Sequence, residues 1–240
     1  INIFLGTINN LENSSYTNCS INDPFWEISS NKVSLLSEDD NAVIEGVRLK
    51  IKGVTVIYIP KLRTAIGNKR MSGFLTPSVS KGTKGLDIEL PYYFNLSPNY
   101  DLVLSPKIIP SRGNGLYSNF RYLSNNSNGK ILISGIRNDK EFKKFSNLEE
   151  DRWLVHWSHE SKFLQHWSSN IDYTSASDSY YFRDIGDDQY GSNKTNILNK
   201  KANVRWANEN TQLIFGLSRF QSMNPLVRED SKSIPNININ

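Results

Sequence analysis

Between Leu86 and Leu96 apolar and polar side chains alternate. Leu86, Ile88, Leu90, Tyr92, Phe94 and Leu96 fall on one face of an extended chain, and Asp87, Glu89, Pro91, Tyr93 and Asn95 on the other. This predicts one strand over 86–96. It is longer than the usual strand of about 5–6 residues and matches the roughly 9–11 that cross a bilayer at a tilt. The texture recurs downstream. Trp153, Val155 and Trp157 oppose Leu154, His156 and Ser158; Ala202, Val204 and Trp206 oppose Asn203 and Arg205; Leu213, Phe215 and Leu217 oppose Gln212, Gly216 and Ser218. Candidate strands are 72–80, 86–96, 100–109, 116–124, 130–137, 152–160, 165–175, 200–208 and 211–221. KGTKG, SPNY, PSRGNG, SNNSNG and NENT join them, all turn chemistry. Longer joins fall at 138–151 and 176–198. Short joins on one side and long ones on the other are the topology of an outer-membrane barrel.

Upstream the runs are shorter. Ile1–Leu5 reads as a strand and the rest of 1–24 as an Asn/Ser-rich loop. Short β runs follow at 25–29, 32–38, 42–53 and 54–60, with turns at Asp39-Asp40-Asn41 and Gly53. Such spacing suggests a small sandwich, a jelly roll or a stack of β turns. Pro60 is expected to end this block, with a basic link over 61–70 as the domain boundary. The one helix-like stretch is Glu141–Leu154, where Phe142, Phe145 and Leu148 recur at i, i+3 and i+6. No closing strand is expected in the terminal SIPNININ, and the chain reads as an internal piece of a longer one. The fold class is all-β.

Two prolines interrupt the pattern. Proline cannot donate to a sheet ladder and is normally kept to edges, first positions and bulges. Pro77 and Pro91 flank the KGTKG turn at nearly equal distance, so they fall at nearly the same height on neighbouring strands and mark a weak seam. Two tolerated bends, or an edge pair in an ordinary sandwich, fit the pattern as well.

Composition narrows the classes. The charge is +4 with a pI near 9.0, and the cations are scattered, which argues against nucleic acid. Mean hydropathy is −0.50 and no apolar run is long enough for a membrane helix, but a β-barrel gives no such run. His156 and His159 point to opposite faces of a strand and do not converge on a metal. Asp178, Asp184, Asp187 and Asp188 lack Ca²⁺-loop spacing and read as a solvated loop. Glu38-Asp39-Asp40 reads as a hairpin turn. No nucleophile elbow and no phosphate-cradling glycine loop exist, so no enzyme and no cofactor are expected.

Several motifs together resemble the LptD (OstA/Imp) family of outer-membrane lipopolysaccharide-assembly proteins. They are Tyr16-Thr17-x-Cys19 with Phe25-Trp26-x-Ile28, then Gly53-Val54-x-Val56-x-Tyr58-x-Pro60 and Arg70-x-Ser72-Gly73-Phe74-Leu75-x-Pro77. Leu90-Pro91-Tyr92-Tyr93-x-Asn95-x-x-Pro98-Asn99, Phe120-Arg121-Tyr122-Leu123 and Asp172-Tyr173-x-x-x-Ser177-Asp178 continue the series. The resemblance implies a periplasmic β-jellyroll remnant over 1–62, a linker over 63–71 and the first strands of a large outer-membrane barrel over 72–240. It also implies lipopolysaccharide as cargo, LptA as the periplasmic bridge and the lipoprotein LptE as plug. Ile28, Val33, Leu35, Val47, Leu49 and Ile51 would line the acyl-chain interior. Pro77 and Pro91 would stand beside a lateral gate, and Cys19 would pair with a cysteine outside this piece. Thr55 stands where the family often has proline, and the first barrel hairpin looks shorter than is common. A generic porin and a soluble β-sandwich binding module are the rival readings.

Overall fold

Period-two alternation builds hairpins here, and in this computed structural model nearly every strand pairs with its neighbour in sequence. The structure describes residues 10–17, 19–20, 22–36, 41–65, 70–82, 85–145, 150–185, 196–227 and 234–239. The expected opening strand at Ile1–Leu5 and the expected turn at Glu38-Asp39-Asp40 lie outside them. Strands β1 (Asn10–Tyr16), β2 (Trp26–Leu36), β3 (Asn41–Ile51) and β4 (Val54–Ala65) form an antiparallel sheet in that order. Lys52 and Gly53 join β3 to β4, both at positive φ (46° and 77°), as a two-residue hairpin turn of the favoured hand demands. Pro60 does not end the block. It stands opposite Gly46 on β4, an edge strand, where a missing donor is tolerated, and the strand continues to Ala65.

The remaining strands form one antiparallel sheet: β5 (Gly73–Phe74), β6 (Ser78–Gly82), β7 (Gly85–Glu89), β8 (Tyr92–Ser97), β9 (Tyr100–Ile109), β10 (Gly113–Leu123) and β11 (Ser127–Ile136). Helix α1 (Lys140–Phe145) precedes β12 (Arg152–Leu164) and β13 (Trp167–Ala176); helix α2 (Tyr181–Asp184) precedes β14 (Ile197–Ala207), β15 (Gln212–Ser222) and β16 (Ile234–Ile239). The chain is all-β. Several expectations change. The expected Asn/Ser-rich loop carries β1, and the runs 25–29 and 32–38 merge into the one strand β2. The strand over 86–96 is two strands, β7 and β8, broken at Leu90-Pro91 because Pro91 withholds its donor. The helix-like stretch shrinks to α1, capped by Asp139 Oδ1, which accepts from the Glu141 and Phe142 amides at 3.1 and 3.2 Å; β12 already begins at Arg152. The tail forms β16, paired with β15 from Leu213↔Ile239 to Ser218↔Ile234.

Register divides this sheet into two chemically distinct faces. Leu102, Phe120, Ile131, Trp157 and Tyr173 stand side by side across β9 to β13. One residue along, on the other face, stand Asp101, Arg121, Lys130, Ser158, Asp172, Lys201 and Ser218. On the apolar face Leu116, Ile133, Trp153, Phe215 and Leu217 are exposed. On the polar face Tyr117, Leu132, Leu154 and Ala176 pack under Tyr181 and Phe182 of α2. Gly129 sits beneath the Tyr122 ring, whose hydroxyl meets His159 Nδ1 at 2.6 Å. A Cβ at Gly129 would collide with that ring and with the Ser158 carbonyl.

Arg152 fastens the two long joins to the polar face. Its side chain is fully buried and forks onto Asp178, with Nε at 3.0 Å and Nη2 at 2.8 Å. Its Nη1 reaches Asp184 at 3.1 Å and Asp139 at 3.3 Å, and the Phe142 ring lies 4.1 Å from the guanidinium carbon. Arg112 closes on Asp139 at 2.7 Å. The anticipated solvated acidic loop is thus partly internal: Asp178 and Asp184 are counter-ions, while Asp187 and Asp188 lie outside the described residues. Burial raises the Asp184 carboxyl, but the Arg183 hydrogen bond and the Arg152 charge outweigh it and hold it below the ordinary carboxylate value.

Replacing Arg152 by Met removes a counter-ion shared by three carboxylates, of which Asp139 keeps Arg112 and Asp184 keeps Arg183, and is expected to cost about 3–5 kcal/mol in denaturant unfolding of the full-length protein. A depressed folded pKa contributes stability above the unfolded value, near 3.9, that is lost as pH falls through the folded value. Hydrogen exchange at the Asp184 and Ile185 amides should therefore quicken, beyond its intrinsic trend, on acidification below about pH 4, and Asp184→Asn should flatten that dependence.

Candidate functional site

Where the first sheet meets the second, apolar side chains from both enclose a narrow cavity. Trp26 and Leu49 of the first sheet pack on Ile88 of β7, with Ile28, Ile51 and Ile57 against them. Beside this contact Ile28, Val47, Leu49, Ile57, Ile59 and Leu62 line one wall of the cavity, and Phe74, Leu75, Pro77 and Leu90 the other. It holds about 40 Å³. That is little more than one water molecule's share of liquid volume, about 30 Å³. As it stands the cavity takes no acyl chain, and admitting one requires its walls to part.

The second wall is the interrupted stretch. Phe74 pairs with Tyr92 and Ser78 with Glu89, so Leu75–Pro77 on one strand face Leu90-Pro91 on the other: three residues against two, a bulge with a proline in each half. Pro77 and Pro91 therefore share one break. The Leu75 amide donates across it to the Pro91 carbonyl at 2.9 Å. Beyond Pro91 the next strand carries Pro106, opposite Leu90, whose amide donates to the Pro106 carbonyl at 3.2 Å. Three adjacent strands thus withhold ladder donors at one height. Pro106 was visible in the candidate strand 100–109, but its height depends on the β8–β9 register, which sequence spacing leaves open.

Of the six interior residues expected from the resemblance, the structure gathers four. Ile28 pairs with Leu49, and Val47 and Ile51 share their face of β3; all four lie at the cavity or its packing cluster. Val33 and Leu35 pair with Ile44 and Ala42 farther along the same two strands, beyond Gly46, and lie at neither the cavity nor its packing cluster. Cys19 lies at the edge of this cluster, where its amide donates to Thr17 Oγ1 at 3.1 Å. Hydrogen bonding to the Trp26 backbone, against some burial, holds its thiol below the ordinary value. His156 and His159 stand on opposite faces, beside Thr174 and Tyr122 respectively.

Near the break, on the polar face, lies a charged group with no local signal in the sequence. Asp101 accepts from Arg121 Nε and Nη2, both at 2.8 Å, from Arg70 Nη2 at 2.6 Å and from Tyr93 Oη at 3.2 Å. Arg70 also donates to the Pro98 carbonyl at 2.7 Å, and the Asn95 side chain returns a bond to the Arg70 carbonyl at 3.0 Å. These contacts tie the start of the second sheet to the β8–β9 hairpin. Further along the polar face, Asn126, Asn128, Glu160, Asn170, Asn203 and Arg205 line a groove of about 590 Å³.

Comparison with known proteins matches this arrangement to one family. The family model described as "LPS transport system D" matches residues 150–240. The "LPS-assembly protein LptD" of Pectobacterium atrosepticum is 36% identical over 234 residues, 96% of this chain and 30% of that protein. The proteins of the same name from Pseudomonas syringae pv. tomato and Salmonella typhimurium are 31% and 34% identical, over 88% and 96% of this chain and 23% and 30% of their own lengths. The chain thus spans less than a third of each of these relatives. Over nearly all of its length it aligns with proteins of this one kind, and it belongs, as a segment, to the LptD family.

Proposed function

We propose that this chain is part of a machine that carries lipopolysaccharide across the periplasm and releases it into the outer leaflet of the outer membrane. The observation that carries this reading is the shared cavity, in which first-sheet residues Ile28, Val47 and Leu49 and break residues Pro77 and Leu90 line one apolar space. In this reading the first sheet is periplasmic, part of a β-jellyroll that shields acyl chains. The second sheet is the start of a membrane barrel. Its strands β9 to β15 run 10–13 residues, its apolar face carries Trp153, Trp157 and Tyr173 toward lipid, and its charged face turns to the lumen. LptA delivers the lipid, LptE fills the lumen, and Cys19 pairs with a cysteine elsewhere in the full-length protein.

The prolines form the weak wall of a lateral gate. A continuous ladder would add about 0.5–1.5 kcal/mol for each regained hydrogen bond. The proline-broken seam opens more cheaply, so acyl chains leave the cavity sideways while the sugar and phosphate groups stay in the polar lumen. A porin needs neither the first sheet nor the shared cavity, and a soluble sandwich needs no exposed aromatic face.

In the full-length protein, Pro77→Val with Pro91→Val should tighten the seam and slow lipopolysaccharide release about tenfold, the equivalent of roughly 1.4 kcal/mol. Pulse-chase labelling of surface lipopolysaccharide measures this, and unchanged export would sink the gate assignment. A photoreactive residue at Leu49 should crosslink lipopolysaccharide, whereas a porin should give no adduct there.

A further inference from the structure

We infer that Arg70, Arg121 and Lys130 form an anion site on the polar face, beside the proline break, which takes the phosphate of a glycolipid headgroup. The inference deepens the transport reading above and rests on it. Its first ground is a charge imbalance with fixed geometry. Asp101 is buried, with a side chain 6% exposed, and this one carboxylate holds two guanidiniums that are 45% and 57% exposed. Asp101 orients both cations and Tyr93 fixes Arg70; Arg121 spends Nε and Nη2 on Asp101, which leaves its Nη1 uncommitted to that carboxylate. Lys130 is the cross-strand neighbour of Arg121 and adds a third positive charge.

The acids facing this group do not cancel it. Across β12, Asp172 is separated from Lys130 by Ser158, and Lys201 is its next neighbour along the rung. Glu160 lies one rung away, opposite Asn128. Three cations therefore meet one carboxylate at close range. The Arg121 guanidinium, held in place by Asp101, keeps Nη1 and one Nη2 hydrogen for phosphate oxygens, and Arg70 and Lys130 add charge beside it.

Position is the second ground. Tyr93 follows Pro91 by two residues, about 7 Å along a strand, and its hydroxyl touches the cluster. The break opens toward the apolar cavity and the cluster lies on the polar face beside it. An amphiphile straddling the break would put its chains in the first and its anionic head on the second. A free phosphate ion would share the head's chemistry without that geometry.

The test uses the full-length protein in its complex, reconstituted in vesicles, with a photoreactive residue at Ser158 beside Lys130. The probes are a phosphorylated lipid-A-type glycolipid, its phosphatase-treated form and inorganic phosphate. Half-saturation of crosslinking by the phosphorylated lipid should rise about tenfold in Arg121→Gln and in Lys130→Gln, and less in Arg121→Lys. The dephosphorylated lipid should bind about tenfold more weakly and ignore all three substitutions. Millimolar inorganic phosphate should not compete. Lys130→Gln leaves the Asp101 network intact, so a folding defect at Arg121 does not shelter the proposal. Equal crosslinking of the two lipids, indifference to Lys130→Gln, or full competition by inorganic phosphate would each overturn the headgroup site. Leu49 crosslinking separates the failures: its persistence under any of these results leaves transport standing, and its loss removes the transport reading beneath the site.

Discussion

A β-ladder is closed by backbone N–H groups, and nothing else in an extended chain can replace them. The molecule is organised around where those donors are supplied and where they are withheld. From β9 to β15 the registers run almost without interruption, over ten or eleven consecutive pairs in several hairpins. At Pro77, Pro91 and Pro106 the donors vanish together; the strands flanking Pro77 and Pro91 shorten to between two and six residues, while β9, with Pro106 inside it, runs on for ten. The same stretch is where the first sheet docks. A regular ladder there would present continuous wall; the bulge presents Leu75 and Leu90 to the first sheet's apolar face instead.

The two faces of the larger sheet obey opposite rules one residue apart. On one, Trp157 stands beside Tyr173 with both rings exposed. On the other, buried charges are answered: Asp101 by two arginines, Arg152 by three aspartates. Such networks are weak sources of net stability, because desolvation offsets most of the attraction. Their effect here is positional. Arg152 holds α1, α2 and β12 in one arrangement, and Asp101 holds the entry of the second sheet against the β8–β9 hairpin.

Much of this was legible from periodicity. The hairpins from β9 to β15 follow alternation and turn residues closely, and the two prolines announced a break because each withholds a ladder donor. Two features were hidden for physical reasons. A strand that looks continuous by alternation, as 86–96 does, is cut by a missing donor that hydrophobic pattern does not register. Ion pairs such as Arg70–Asp101 and Arg152–Asp178 join residues 31 and 26 apart, and no local spacing encodes them. That Val33 falls short of the cavity while Leu49 lines it was equally unreadable: both are apolar β positions, and only contact with the second sheet separates them. Pro60 misled in the other direction, since its meaning depends on β4 lying at an edge.

The broken pairing also fixes an order of events in time. Strands joined by tight turns find each other quickly, because the loop between them is short and its closure cheap. The Lys52-Gly53 hairpin and the long β14–β15 hairpin are such units. Pairing of β5 with β8 is different: two residue pairs, Gly73↔Tyr93 and Phe74↔Tyr92, must be held across an intervening hairpin. That segment zips late and frays early, so the least protected amides of the sheet should cluster there. The weak pairing at the break is therefore an assembly liability, a stretch left open to wrong partners until the rest of the sheet has formed.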